Sequence, residues 1–398
     1  MEKIFEDLRH KVVTHEADNQ KNTLVDIEAF DNTAYGARLN ERLAECMGKT
    51  GKWSSLLGSL GSQSQVQWAD GGVFGAFAQG GGTGSANIDI NGVISGAKAG
   101  ATVLTIGSGD ATVTSNALVS AGELGLGGSN IGTGNVIITS NANIHSDGGG
   151  IAALKAGTYG SVTVNVNADV SGLSGIASGG DGVLVVSSTA GFGAVDVNIA
   201  DNVSVQSEKN GINVVKLTGD GDVTITLGET TKLHAGLIGI NGATLLGDGN
   251  VAIKTGKGSS VRATVGIAAT RGVGTGDVNV SLGEDNQVNA YIGVIATNLA
   301  DNGAVNVMLN KDAAIIAERT GVDAASLGDI VITADTGTDI TALYGQAILA
   351  EAAGAVNITT AGKVYGEGTD TTAVVSIRSG DGAEYHNLIV RGRAMGGF

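Results

Sequence analysis

Gly221-Asp-Val-Thr-Ile225 is followed by Gly249-Asn-Val-Ala-Ile253, and that in turn by Gly276-Asp-Val-Asn-Val280. In each stretch a Gly stands two residues before Val and four before Ile or Val. Seven further stretches repeat the spacing, from Gly109, Gly134, Gly160, Gly193, Gly303, Gly328 and Gly354, with a small or β-branched residue at the middle position. Ile88 and Ile90 read as an earlier copy, with Ala86 in the place of the glycine. The glycines recur at a near-constant interval. Self-similarity with a period of about 27 residues marks a solenoid, in which each repeat buries its apolar face only by stacking on its neighbours.

Within a repeat, the alternation Val223-Thr-Ile225 or Val278-Asn-Val280 predicts a half-buried strand. A second apolar position follows at Ile144, Val170, Val203, Leu233, Val261, Val288, Ile315, Ile340 and Val364. A third appears at Ile151, Ile176, Ile212, Ile238, Ile267 and Ile292. Three short strands per coil predict an all-β fold, a triangular parallel β-helix of about eleven coils over residues 85–378. Right-handed winding is the default for parallel connections. At about 4.8 Å per coil the rod would be on the order of 50 Å long.

Composition agrees. The 398 residues include 66 Gly and no Pro, where average usage would give roughly 20 Pro. Pro cannot donate to a ladder, so its absence suits a chain whose N–H groups are nearly all needed in sheets. Aromatics are only 4% of the chain although hydrophobic residues are 42%. The apolar mass is therefore Val, Ile, Ala and Leu, which fits a narrow, repeated β interior. A net charge of −16 disfavours nucleic acid as a partner. The single cysteine, Cys46, rules out an internal disulfide. No long apolar run predicts a membrane span, and the N-terminus carries no continuous apolar signal region.

Residues 1–52 read as a helical head. Ile4, Leu8 and Val12 share one helical face, and Leu39, Leu43 and Met47 another, with Asn32 as a cap. Such a head would serve as cap, oligomerisation element or attachment module. Residues 53–84 read as a Gly/Ser/Gln-rich connector. Residues 379–398 break the register and are expected to close or extend the last coil. His386, Arg391 and Arg393 there, against Glu2, Glu6 and Asp7 at the other end, favour head-to-tail contact between copies and hence filaments.

The G-x-[VI]-x-[VI] rungs, few aromatics and absent Pro resemble the passenger domains of bacterial autotransporters and haemagglutinin-like adhesins. The resemblance covers residues 85–378 and is one of repeat style. It implies a non-enzymatic structural or adhesive protein, secreted or at the bacterial cell surface, with a surface glycan or cell-envelope partner and a homo-oligomeric or filamentous state. The expected signal segment and C-terminal translocator are not seen. A second resemblance is to phage tail spikes, which carry an N-terminal attachment module and would place the chain on a virion. Polysaccharide-degrading β-helix enzymes form a third class.

The candidate chemistry is sparse. The turn before each first strand carries Asp110, Asn135, Asp222, Asn250, Asp277 or Asp329. Stacked carboxylates at Asp222, Asp277 and Asp329 are candidate Ca²⁺ ligands, while Gly followed by Asp or Asn is also ordinary turn chemistry. No other cofactor is expected. The repeat from Gly160 to Gly193 is the longest of the set. Its extra length marks a candidate binding loop with Asp181, Thr189 and Phe192, because insertions in solenoids map to loops on one face. His145 and His234 are expected on one face three coils apart. No acid pair clusters with an aromatic in the sequence, so no catalytic residue is assigned.

Overall fold

The computed structural model describes residues 74–172 and 180–366, the strands Val375–Ser379, His386–Val390 and Ala394–Gly396, and the dipeptides Thr14–His15 and Asp26–Ile27. Those dipeptides pair as two short parallel strands. The helices expected in residues 1–52 otherwise lie outside the described residues. From Phe74 onward every described element is a strand, and every pairing is parallel between neighbouring coils. The chain is a parallel β-solenoid of about eleven turns.

Each coil has three sides. The first is built from five-residue rung strands that stack into one sheet of twelve. The second and third sides belong to a nineteen-stranded sheet that bends around the corner between them. Alternation sets the rungs. Val223, Ile225 and Leu227 are buried while Thr224 and Thr226 face out. Val195, Val223, Val251 and Val278 then stack directly, coil on coil. Each such buried Val or Ile contributes about 1.5–3 kcal/mol over its exposed state.

Glycines set the corners. Gly249 has a φ of +134°, and a Cβ there would collide with the carbonyl oxygen of Gly221. The same test corrects the first copy. Ala86 pairs with Ala111, and Gly84, not Ala86, lies under Gly109. Ile88 and Ile90 face inward in either register, because side chains alternate with a period of two.

A second glycine column immediately precedes the third side: Gly100, Gly125, Gly150, Gly182, Gly211, Gly239, Gly266, Gly293 and Gly321. It corrects two predicted ladders. The third ladder runs through Ile151, Val183, Ile212, Ile240, Ile267 and Val294. Ile238 and Ile292 sit half-exposed at the corner, and Ile176 lies outside the described residues. On the second side Val205, not Val203, stacks between Val170 and Leu233. Val203 is buried one alternation earlier, at the corner position that Thr231 takes in the next coil.

The C-terminal stretch extends the solenoid. His386, Leu388 and Val390 stack on Val356, Ile358 and Thr360 as a twelfth rung.

The last inward position of the third side is polar in successive coils from Thr105 to Ser326. Thr105, Asn130, Lys155, Ser187, Lys216, Thr244, Arg271 and Asn298 stack there. Lys216 and Arg271 are 0% exposed and Lys155 is 2% exposed. Among the described residues no carboxylate forms an ion pair with them. Corner carbonyls hold them instead: Lys216 Nζ donates to Gly193 O at 2.9 Å, Gly221 O at 2.7 Å and Asp220 O at 2.5 Å. Arg271 Nη2 donates to the carbonyls of Gly247 and Thr275, and Lys155 Nζ to that of Gly132 at 2.7 Å. The tight glycine turns aim these carbonyls inward, and a long cationic side chain reaches them from the strand that leads into the turn.

Burial pushes the Lys216 ammonium down from 10.5 to about 8. Between pH 8 and 10.5 the folded chain then holds fewer protons at this site than the unfolded chain, so stability rises with pH in that window. We expect the parent to gain stability relative to a Lys216→Met variant as pH rises through that window. Urea midpoints of the two proteins across the range check this, and parallel curves would refute it.

Candidate functional site

The candidate Ca²⁺ ligands serve the stack. Asp222 Oδ1 accepts from the Asn250 backbone N–H at 2.7 Å, Asp277 Oδ1 from that of Ala304 at 2.9 Å, and Asp329 Oδ1 from that of Ala355 at 2.8 Å. Asn135 and Asn250 do the same for Ser161 and Asp277. Each turn side chain thus caps the next coil. Among the described residues no group of three His, Cys, Asp or Glu side chains is placed to hold a metal.

The long coil does not gather its three candidates. From Val170 to Gly182 the chain takes twice the length that the preceding coil uses from Ile144 to Gly150. The insertion therefore falls mainly at the corner before Asp181, and residues 173–179 are outside the described set. Asp181 is 5% exposed, and its carboxylate accepts from the Asn210 backbone N–H at 3.1 Å, Asn210 Nδ2 at 3.0 Å and Asn213 Nδ2 at 3.0 Å. Thr189 and Phe192 lie at the far end of the strand Val183–Phe192. Thr189 is buried and Phe192 is 71% exposed. The regular part of the strand, Val183 to Ser188, alone spans about 17 Å at roughly 3.3 Å per residue, so Asp181 and Phe192 stand at opposite ends of the third side.

The histidines fall as expected. His145, Ser171, Gln206 and His234 stack in successive coils on the second side. His145 and His234 are about 14 Å apart at strand spacing.

A cleft opens at the corner between the second and third sides. Corner length varies from coil to coil there. The stretches Leu233 to Ile240 and Ile315 to Val322 are each one residue longer than Val261 to Ile267 and Val288 to Val294. The stretch Ile340 to Ile348 is longer again by one. Two short corners, at Thr264 and Tyr291, therefore lie recessed between longer ones. The register shift between Ala290 and Ile292 marks the step, with Glu318 and Arg319 opposite the single Tyr291. The result is a cleft of about 420 Å³. Its floor is Ala235, Ala263, Ala290 and Ala317, whose single methyls leave the space open.

One wall is the outward column His234, Arg262, Asn289 and Ile316. The other carries Thr264, Tyr291, Glu318 and Leu343. The Thr264 hydroxyl donates to Gly236 O at 2.7 Å. Tyr291 is 44% exposed. Among the described residues no hydrogen bond or ion pair engages the side chains of Arg262 and Glu318.

No family model, curated protein or solved structure matches the chain.

Carboxylates meet across coils at Asp196, whose carboxyl is pushed up by burial and then by the Asp222 charge of the next coil, and at Asp323. Asp323 stands beside Glu351 of the next coil, and burial followed by the Glu351 charge pushes its carboxyl up. Glu351 Oε1 also accepts from Arg378 Nη1 at 2.8 Å. This pair lies on the third side, outside the cleft.

None of the cleft residues stood out in the sequence except His234. The signal was available in the alternation of long and short corner spacings, but it emerges only once Ile240 and Val294 are recognised as the inward positions.

Proposed function

We propose that the chain is a non-enzymatic β-solenoid scaffold of a bacterial surface or extracellular assembly, which adheres to a glycan through the corner cleft. The observation that carries this reading is where the polar side chains are engaged. Turn acids, corner cations and asparagine ladders all hold one coil to the next. The cleft is where a cation, an anion, an amide and a phenol stand together with an open floor.

That set suits a sugar. Tyr291 offers a ring face, and Arg262, Asn289 and Glu318 offer donors and acceptors along the rod axis. The cleft spans the coils from His234 to Leu343, about 19 Å at strand spacing, which matches a short linear glycan rather than a compact metabolite. The resemblance to adhesin passenger repeats supports the same reading.

The test is binding of the purified chain to a panel of bacterial and host polysaccharides, repeated with Arg262→Ala/Tyr291→Ala. Both residues are at the surface, so folding should be unchanged and affinity should fall at least tenfold, about 1.4 kcal/mol. Equal binding by the variant would remove the cleft from the proposal. New reducing ends or unsaturated sugars in the parent mixture, lost on Asp323→Asn, would replace the scaffold reading with an enzymatic one.

A further inference from the structure

We infer that the third side of the solenoid is a contact surface for a second copy of this chain, the two rods lying parallel and back to back. The inference is independent of the cleft and goes beyond the adhesive reading.

The side is uncharged over most of its length. The eight coils from Thr102 to Leu299 each present three outward residues there, and none of these twenty-four is Asp, Glu, Lys or Arg. At the chain's 16% charged content, about four would be expected. Within the six-residue stretches that form this side, the charged residues Lys155, Lys216 and Arg271 all point inward. Leu104, Leu154, Leu184, Val186, Val215 and Ile295 face out in their stead.

The size fits a dimer. Eight coils at about 4.8 Å and six residues of strand at about 3.3 Å give a face of roughly 38 by 20 Å. That is close to the roughly 800 Å² per partner of a standard stable interface. Two sheets pack face to face at about 10 Å through interdigitated side chains.

The relief of the side selects a partner like itself. The column nearest the glycine corner is small in half its coils, at Thr102, Gly127, Ala152 and Ala268. The column at the opposite edge is mostly large, and Ile106, Ile131, Leu217, Leu245 and Leu299 are 37–54% exposed. A two-fold axis along the rod lays the first column of one copy on the large column of the other, coil against coil. Antiparallel rods would lay large on large. A two-fold contact of this kind closes on itself, so it gives a dimer and not a fibre.

The experiment is light scattering on the full chain at micromolar concentration, for the parent and for Leu154→Lys/Val215→Lys. The expected masses are two chains for the parent and one for the variant, with the same circular dichroism. A one-chain parent overturns the inference, including the case in which residues 1–73 cover the face. A variant that stays dimeric overturns it as well, because the contact then lies elsewhere. Should the variant fail to fold, Leu104→Cys in a Cys46→Ser background is treated with a short bis-maleimide. Parallel rods place Leu104 opposite its own copy, so a two-chain band supports the arrangement. A band only when Leu104→Cys is mixed with Thr297→Cys overturns it.

Discussion

Ile332→Asp is expected to cost more than about 4 kcal/mol, while Thr333→Asp, one residue along the same strand, is expected to stay within about 0.5 kcal/mol of the parent. Ile332 is 0% exposed and stacks between Val307 and Ile358. A carboxylate there has no donor within the ladder and no water, so its charge is buried without a partner. Thr333 is on the outward face of the rung strand Ile330–Ala334. Val280→Asp, 1% exposed between Ile253 and Val307, should behave like Ile332→Asp. Urea denaturation of the parent and the three variants measures this. A parental midpoint for Ile332→Asp would mean that the inward register is wrong. Because solenoid stability is built from neighbouring coil contacts, loss should spread outward from the substituted coil. Limited proteolysis should then release fragments cut near it before the far end is touched.

Gly266→Ala is expected to destabilise by about 1–3 kcal/mol, the range for forced overpacking. The added Cβ would collide with Val288 Cγ1 and lie 2.5 Å from the carbonyl oxygen of Gly293. Val288 is itself locked in the second-side ladder, and Gly293 is the next member of the glycine column, so neither can yield alone. Gly81→Ala is the matched control. No atom lies within 4 Å of its Cβ position, and its stability should be unchanged. Thermal melts of both variants check the pair. Equal melting temperatures would show that the second glycine column is incidental to packing.

The rungs were legible because a rung strand is read from its own short run of residues. Alternation places Val223 and Ile225 inward whatever the neighbours do, and a repeat of near-constant length places the next rung above it. Even the error at Ala86 kept the correct residues inside, because a two-residue slip preserves the facing side. The second and third sides were less legible. Val203 and Val205 are both buried, and Ile238 and Ile240 flank one glycine, so composition alone does not choose between them. The choice falls to the corner, where the backbone of one coil passes against that of the next and glycine stands in successive coils from Gly100 to Gly321 before Ala347 takes the place.

The candidate sites divide in the same way. Asp222, Asp277 and Asp329 could be named as acids in turns, but whether a turn acid faces a metal or the N–H of the next coil depends on stacking. Asp181 and Phe192 are close in the chain and belong to one long repeat, yet the third-side strand between them holds them at opposite corners. Nothing in the local sequence marks Lys155, Lys216 and Arg271 as interior. They lie inside because the corner carbonyls converge on them, a geometry no single repeat contains.

The sequence by itself determined the repeat, the inward face of each rung, the absence of strand-breaking Pro and the all-β solenoid. These follow from local periodicity and from backbone groups that a ladder must satisfy. Only the tertiary structure decided which polar residues are interior, where the short corners leave a cleft and which side of the rod is uncharged over eight coils. Those features arise between coils, from side chains that are a full repeat apart in sequence and one strand spacing apart in space.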